Sequence, residues 1–260
     1  MKRVFGIDQK PAFVFIFAGM IKLNITDETS RLRAVILGTA LSNGGVPKLE
    51  DAYDPKSILH IKQKTYPKEE DMVAEMNAVE EVFNKYGVQV FRPKLIADYN
   101  QIFARDIGFV IEDTFIKANI LPDREQEIEA IEHVLTQIDP EKIVRFPEEA
   151  HIEGGDVMPY KDYILVGVYR GPDYSDYIIA RTNMLAVDYL QKLFPDKKVV
   201  SFNLRKSNTN PYENALHLDC CFQPLGRNHL LIHENSFKNI SDLSLLFELF
   251  SNEKIIKITD

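Results

Sequence analysis

The 260-residue chain is 45% hydrophobic and 27% charged, an ordinary globular balance able to bury a sizeable core as one large domain or two small ones. Its formal charge of -8 and pI near 5.4 argue against a phosphate-backbone partner, since nucleic-acid binding needs clustered Lys and Arg, and suit a cationic or zwitterionic small molecule. The only cysteines, Cys220 and Cys221, are adjacent, which excludes a disulfide framework and points to a reducing, cytoplasmic setting.

In chain order, residues 1–19 begin basic and carry a short apolar run from Ala12 to Ala18, with Asp8 interrupting its approach. An extension or leader upstream of a second start at Met20 is expected, followed by a single domain over 20–260. No later run has the length of a membrane span. "RAVILG" reads as a strand, Lys68 to Tyr86 as a helix with Met72, Met76, Val79, Val82 and Phe83 at helical spacing, and "VQVF" as a strand after Gly87. Residues 107–118 predict two strands about the turn Glu112 and Asp113, then a helix from Arg124 to Ile138 and the strand "KIVRF". Residues 157–168 repeat the hairpin; a loop over 170–177, a helix from about Ile178 to Phe194 and "KVVSF" follow. Residues 218–233 repeat it again with a turn at Gly226, before a helix over 243–250 and "KIIKI".

The repeating unit is strand, strand, helix, strand, about fifty to sixty residues long, a size that buries its apolar face by stacking on its neighbours or closing into a ring. An aspartate opens the first hairpin strand of each clear copy: Asp106 in "FARD", Asp156 in "EGGD" and Asp219 in "HLD". Any one of them alone would serve as a turn cap. Three in register, one beside Glu153 and one two residues after His217, predict carboxylates converging at a shared centre, where they repel one another unless a cation sits among them.

A planar cation with several N–H donors matches such a cluster, because each carboxylate accepts a pair of parallel, charge-assisted hydrogen bonds; a guanidinium fits that description. Gly154 and Gly155 would let the backbone bring Glu153 and Asp156 close to the ligand. His217 adds a group that moves protons near neutral pH, and on an extended strand it would share a face with Asp219, which would orient it. His60, His133, His151, His229 and His233 show no ligand spacing, so no metal is expected.

These residues resemble the pentein superfamily of guanidino-group-modifying enzymes: arginine deiminases, dimethylarginine dimethylaminohydrolases and amidinotransferases. "FARD" with Asn100 before it, "HIEGGDVM", "ARTN" at 180–183 and "HLDCCF" stand in the family's order. The resemblance implies an α/β propeller of ββαβ modules around a pseudo-fivefold axis, with substrate in the central channel and no cofactor. It casts Asp106 and Glu153 as the acids that grip the guanidinium, His217 as general acid and base, and Asp219 as a second acid. Arg181 would meet the substrate's carboxylate, and Asp156 would join the substrate-binding set or support the turn behind it.

The family's nucleophile is a cysteine in a fifth module, after a glycine-rich run, and nothing before Asp260 matches it. The expectation is therefore a chain lacking roughly one terminal module and inactive as given. Cys221 is a remote substitute, since strand alternation would put it on the face of His217 and Asp219. Two functions stay open: an amidinotransferase or amidinohydrolase acting on arginine or a relative through an amidino-cysteine, and a non-catalytic guanidino-binding protein of the same fold. A homo-oligomer is compatible with either.

Overall fold

The computed structural model describes residues 20–171, 178–250 and 254–259. The expected leader at 1–19 and most of the loop at 170–177 lie outside these residues. The described strands form four small sheets. In the first, β1 (Ala34–Ile36) pairs in parallel with β2 (Gln89–Phe91). The next holds β3 (Gly108–Ile111), β4 (Thr114–Lys117) and β5 (Ile143–Arg145), the third β6 (Val157–Tyr160), β7 (Tyr163–Val168) and β8 (Lys198–Asn203), and the last β9 (Phe222–Leu225), β10 (His229–Ile232) and β11 (Ile255–Lys257). Each three-stranded sheet pairs its hairpin antiparallel and its last strand parallel to the second, the pattern a strand, strand, helix, strand unit requires.

Alternation along β6 and β7 explains how the units join. Val157, Ile164 and Val166 face a core with Ile111, Ile116 and the helix α5 (Met184–Leu193), while Met158, Tyr160 and Leu165 face a second core with Phe202, Phe222, Leu230 and Phe250. A sheet buried on both faces reads as a continuous apolar run, as "YILVGV" does. Backbone bridges Asn119 to Ile152 and Leu204 to Phe237 tie successive units at their strand ends.

The helices depart from expectation in three places. The helix expected from Arg124 to Ile138 is two short ones, α3 (Glu125–Glu129) and α4 (Glu132–Leu135), broken where Ile131 leaves helical geometry. The one expected from Ile178 starts at Met184, where the Asn183 side chain accepts from the Ala186 amide and caps it. A helix not foreseen, α1 (Pro55–Gln63), is capped by Asp54 and opened by Pro55. The helix α2 (Glu69–Lys85) forms as expected, yet it buries no residue, and Val79 and Val82 are 41% and 53% exposed. Its unit supplies two paired strands where the others supply three, too narrow a face to cover the stripe. No described helix is long and apolar enough to cross a membrane.

Candidate active site

The acids sit one turn before their strands rather than on them. Residues 154–156 and 218–220 are single 3-10 turns, and β6 and β9 begin at Val157 and Phe222. These turns aim side chains sideways, across units. Asp106, Glu153 and His217, each from a different unit, offer ligand atoms that all lie within 4.8 Å of one another, and all three residues are buried.

The imidazole is gripped from two sides. His217 Nε2 lies 2.8 Å from Glu153 Oε2, and Nδ1 lies 3.7 Å from Asp106 Oδ1. Burial alone would push the histidine down, but the Glu153 hydrogen bond and the charges of Asp106, Asp156 and Glu153 lift it to about 9, so Nε2–H donates at neutral pH. Glu153 shows the reverse balance: burial would raise its carboxyl, while the His217 hydrogen bond and the charges of His217, Arg181 and Arg124 hold it below the ordinary value.

Sequence reasoning missed Arg124. Its NH1 lies 3.0 Å from Asp106 Oδ2 and 3.6 Å from Glu153 Oε2, while Nε and NH2 form a two-point pair with Glu127 at 2.6 and 3.0 Å. One guanidinium nitrogen of the chain's own thus lies against both predicted acids. The only signal was an arginine opening a helix next to an i+3 glutamate, and that pattern reads as surface pairing.

Other predicted residues take different places. Arg181 is 2% exposed, with Nε 3.5 Å from Glu153 Oε1 and its guanidinium over the Tyr53 ring at 5.3 Å. Among the described residues neither that nitrogen nor that oxygen has a hydrogen-bond partner. Asp156 lies behind the cluster, accepting from Thr182 Oγ1 at 2.7 Å and the Leu218 amide at 2.9 Å; burial lifts it to about 6. Asp219 pairs with Arg105 Nε at 3.3 Å, and Arg105 also reaches Glu28. The strand face expected to hold His217, Asp219 and Cys221 together is absent, because the chain turns there. Cys221 points into the core, its Sγ 3.4 Å from the Leu218 carbonyl, and burial pushes its thiol well up. Cys220 is the exposed one, within 4.8 Å of His217 and Asp219, and desolvation with the adjacent Asp219 carboxylate pushes it up to about 12. Neither thiol is poised as a thiolate. Metal-like spacing within Asp106, Glu153 and His217 is taken up by Arg124.

The glycines let the backbone turn without side-chain clashes, as expected, and the atoms a side chain there would meet come from other units. Neither Gly154 nor Gly155 has a positive φ; both lie where a side chain cannot fit. A Cβ on Gly154 would fall 2.1 Å from the Arg105 carbonyl oxygen, and the Gly154 amide donates to the Asp106 carbonyl at 3.1 Å, so the two acid-bearing segments lie in direct backbone contact. A Cβ on Gly155 would meet His217 Cγ and Nδ1 at 2.9 Å and Asp106 Oδ1 at 3.0 Å. Gly155→Ala should displace the imidazole and cost about 1–3 kcal/mol. Urea unfolding checks this, and an unchanged midpoint would mean that the ring yields without cost.

An open groove of about 730 Å³ lies beside the cluster, lined among others by Asp54, His60, Tyr66, Phe103, Tyr212 and Cys220. Cys220 lines the groove and lies beside His217 of the cluster and beside Asp219.

Comparison with known proteins finds this fold in solved structures. The chain superposes on SxtG, an amidinotransferase from Microseira wollei, with TM-score 0.65 and 18% identity over 91% of this chain and 75% of that one. Inosamine-phosphate amidinotransferase StrB1 from Streptomyces griseus matches with TM-score 0.65 and 15% identity over 93% and 76%. DDAH from Pseudomonas aeruginosa, solved with citrulline, matches with TM-score 0.60 and 17% identity over 88% and 77%. The chain shares the fold of these proteins, an α/β architecture of several small mixed sheets. In sequence, the uncharacterized protein YkgA of Bacillus subtilis is 29% identical over 141 residues, covering 53% of this chain and 42% of that protein. No family model matches.

Proposed function

We propose that Asp106, Glu153 and His217 form the guanidinium site of a pentein-type enzyme that transfers or hydrolyses the amidino group of arginine or a related compound. One observation carries the reading: acids and a histidine from three separate units meet at one buried point, and the two acids lie 3.0 and 3.6 Å from one guanidinium nitrogen of Arg124. Solved relatives include an arginine dihydrolase bound to substrate and a DDAH bound to citrulline, which supports a guanidino ligand here. On this reading the units fan around a pseudo-fivefold axis and the ligand enters along it.

Asp106 and Glu153 hold the ligand's nitrogens and keep its central carbon facing one direction. A thiolate adds to that carbon, and the C–N bond to the departing amine breaks as His217, charged at neutral pH, gives that nitrogen its proton. Neutral His217 then takes a proton from water or from an acceptor amine, which displaces the sulfur and releases the product. Asp219 and Arg181 tune the charge around this exchange, with Arg181 available to a substrate carboxylate if it leaves Glu153. The thiolate is the missing part: burial and the Asp219 charge hold Cys220 as a thiol and burial holds Cys221 as one, so the reading expects no turnover from these residues unless a thiolate is supplied to the cluster.

Calorimetric titration of arginine into the chain, with intact-mass measurement after incubation, tests this. Binding should be measurable, Asp106→Asn should weaken it at least about tenfold, roughly 1.4 kcal/mol, and no amidino adduct should form. Equal affinity in the variant would remove the guanidinium assignment, and an adduct on Cys220 would move the nucleophile into the chain. The same two thiols favour the rival, a receptor that binds a guanidino ligand without cleaving it. Turnover by any longer form that supplies a thiolate at the cluster would exclude the rival.

A further inference from the structure

Between β8 and β9 the chain runs from Leu204 to Cys221 with only short 3-10 turns at Pro211–Glu213 and Leu218–Cys220. A histidine on such a connection has little regular structure to fix it, yet His217 must hold Nε2 within 2.8 Å of Glu153. The start of the connection is anchored. Leu204 bridges Phe237, the Arg205 amide donates to the Ser236 carbonyl at 2.8 Å, and the Ala215 amide returns to the Arg205 carbonyl at 3.0 Å. From this anchored base Lys206 reaches back across the loop, and its Nζ donates to the carbonyls of Ala215 at 2.8 Å and Leu216 at 2.6 Å. On the far side of His217, Asp156 Oδ1 accepts from the Leu218 amide at 2.9 Å, and its other oxygen is held by Thr182 at 2.7 Å.

We propose that Lys206 is a positioning residue for His217. With Asp156 it pins the residues on either side, so that the imidazole is presented to Glu153 without strand support of its own. An ammonium bound to two adjacent carbonyls restrains that backbone more firmly than a neutral donor to one would. Burial lowers the Lys206 amine from its ordinary value while the Asp156 charge works the other way, as befits an ammonium whose main partners are uncharged carbonyls. The inference rests on the proposed function only in giving His217 a task; the clamp itself is a statement about backbone and ring.

The test is the titration of the His217 imidazole by NMR in the ligand-free protein, assigned by loss of its signal in His217→Gln. The charged groups facing the ring are Glu153, Asp106, Asp156 and Asp219, with Arg124 and Arg181 behind Glu153. Replacing Lys206 removes a nearby positive charge, which by electrostatics alone raises the histidine. Loss of the clamp lets the ring drift from Glu153 and lowers it. Asp156 couples the other way, since losing Lys206 lifts its carboxyl and removes a charge that raises His217. The variants are therefore compared in an Asp156→Asn background, whose amide oxygen can still accept from Leu218 and where the two causes differ in sign. There Lys206→Met should bring His217 down towards 6.5 by about one unit or more, and Lys206→Arg should restore it. Lys206→Gln, which keeps a neutral N–H donor group, should fall less. If the Met variant does not fold, the sign in the Gln variant decides. A rise or no change in the folded variants would overturn the proposal. Arginine affinity is measured separately: a lowered histidine with no arginine binding would keep the clamp and sink the guanidino reading.

Discussion

Glu153→Gln is expected to destabilise the protein by about 3–5 kcal/mol, the range for removing one partner of a buried charge network. The carboxylate is fully buried and stands between three cations: His217 at 2.8 Å, Arg181 at 3.5 Å and Arg124 at 3.6 Å. An amide of the same shape still accepts from His217 through its oxygen but leaves Arg181, 2% exposed, with no counter-charge from that side. Urea unfolding at neutral pH measures the loss. In the same variant the His217 titration should fall, because the Glu153 charge that helps raise it is gone and the hydrogen bond that remains is to a neutral amide. A midpoint within error of the parent would mean that Asp106 and Glu127 alone balance the arginines.

Stability should also fall by about 3 kcal/mol between pH 6.5 and 9 because of His217 alone. Its value is raised in the folded protein from 6.5 to about 9, so the folded state holds the proton more tightly than the unfolded chain does. That contribution is complete below pH 6.5 and is lost as pH rises through 9. Asp156, raised to about 6, has the same sign at lower pH: its contribution is complete below 3.8 and lost as pH rises to about 6. Glu153, held below 4.5, works oppositely and loses its contribution as pH falls through its folded value. Unfolding midpoints across this range check the sum. His217→Gln should flatten the segment between pH 6.5 and 9, and a slope that survives the substitution would assign the effect to another group.

Much of the site could be read from the chain because its chemistry is local. The hairpins at 107–118, 157–168 and 218–233 carry alternating apolar residues and turn signals within a dozen positions, and the register of β6 on β7 follows from them. An acid opening each unit was visible in the same way. The details failed where a one-residue difference in backbone geometry changes which side chain points inward. "HLDCC" read as a strand puts Cys221 beside His217; folded as a 3-10 turn it puts Cys220 there and sends Cys221 into the core. The two glycines were noticed, but their purpose depends on the Arg105 carbonyl and the His217 ring, neither of which is near them in sequence.

Composition, period and turn residues were enough to set the repeating unit and to single out Asp106, Glu153 and His217, since those signals lie within one unit's length. Spacing along a chain does not say which charges from different units will touch. Arg124 bridging Asp106 and Glu153, Arg181 drawn to Glu153 over Tyr53, and Lys206 holding the carbonyls before His217 arise only when separate units pack. Coulomb attraction and desolvation act on distances through space, and packing sets those distances.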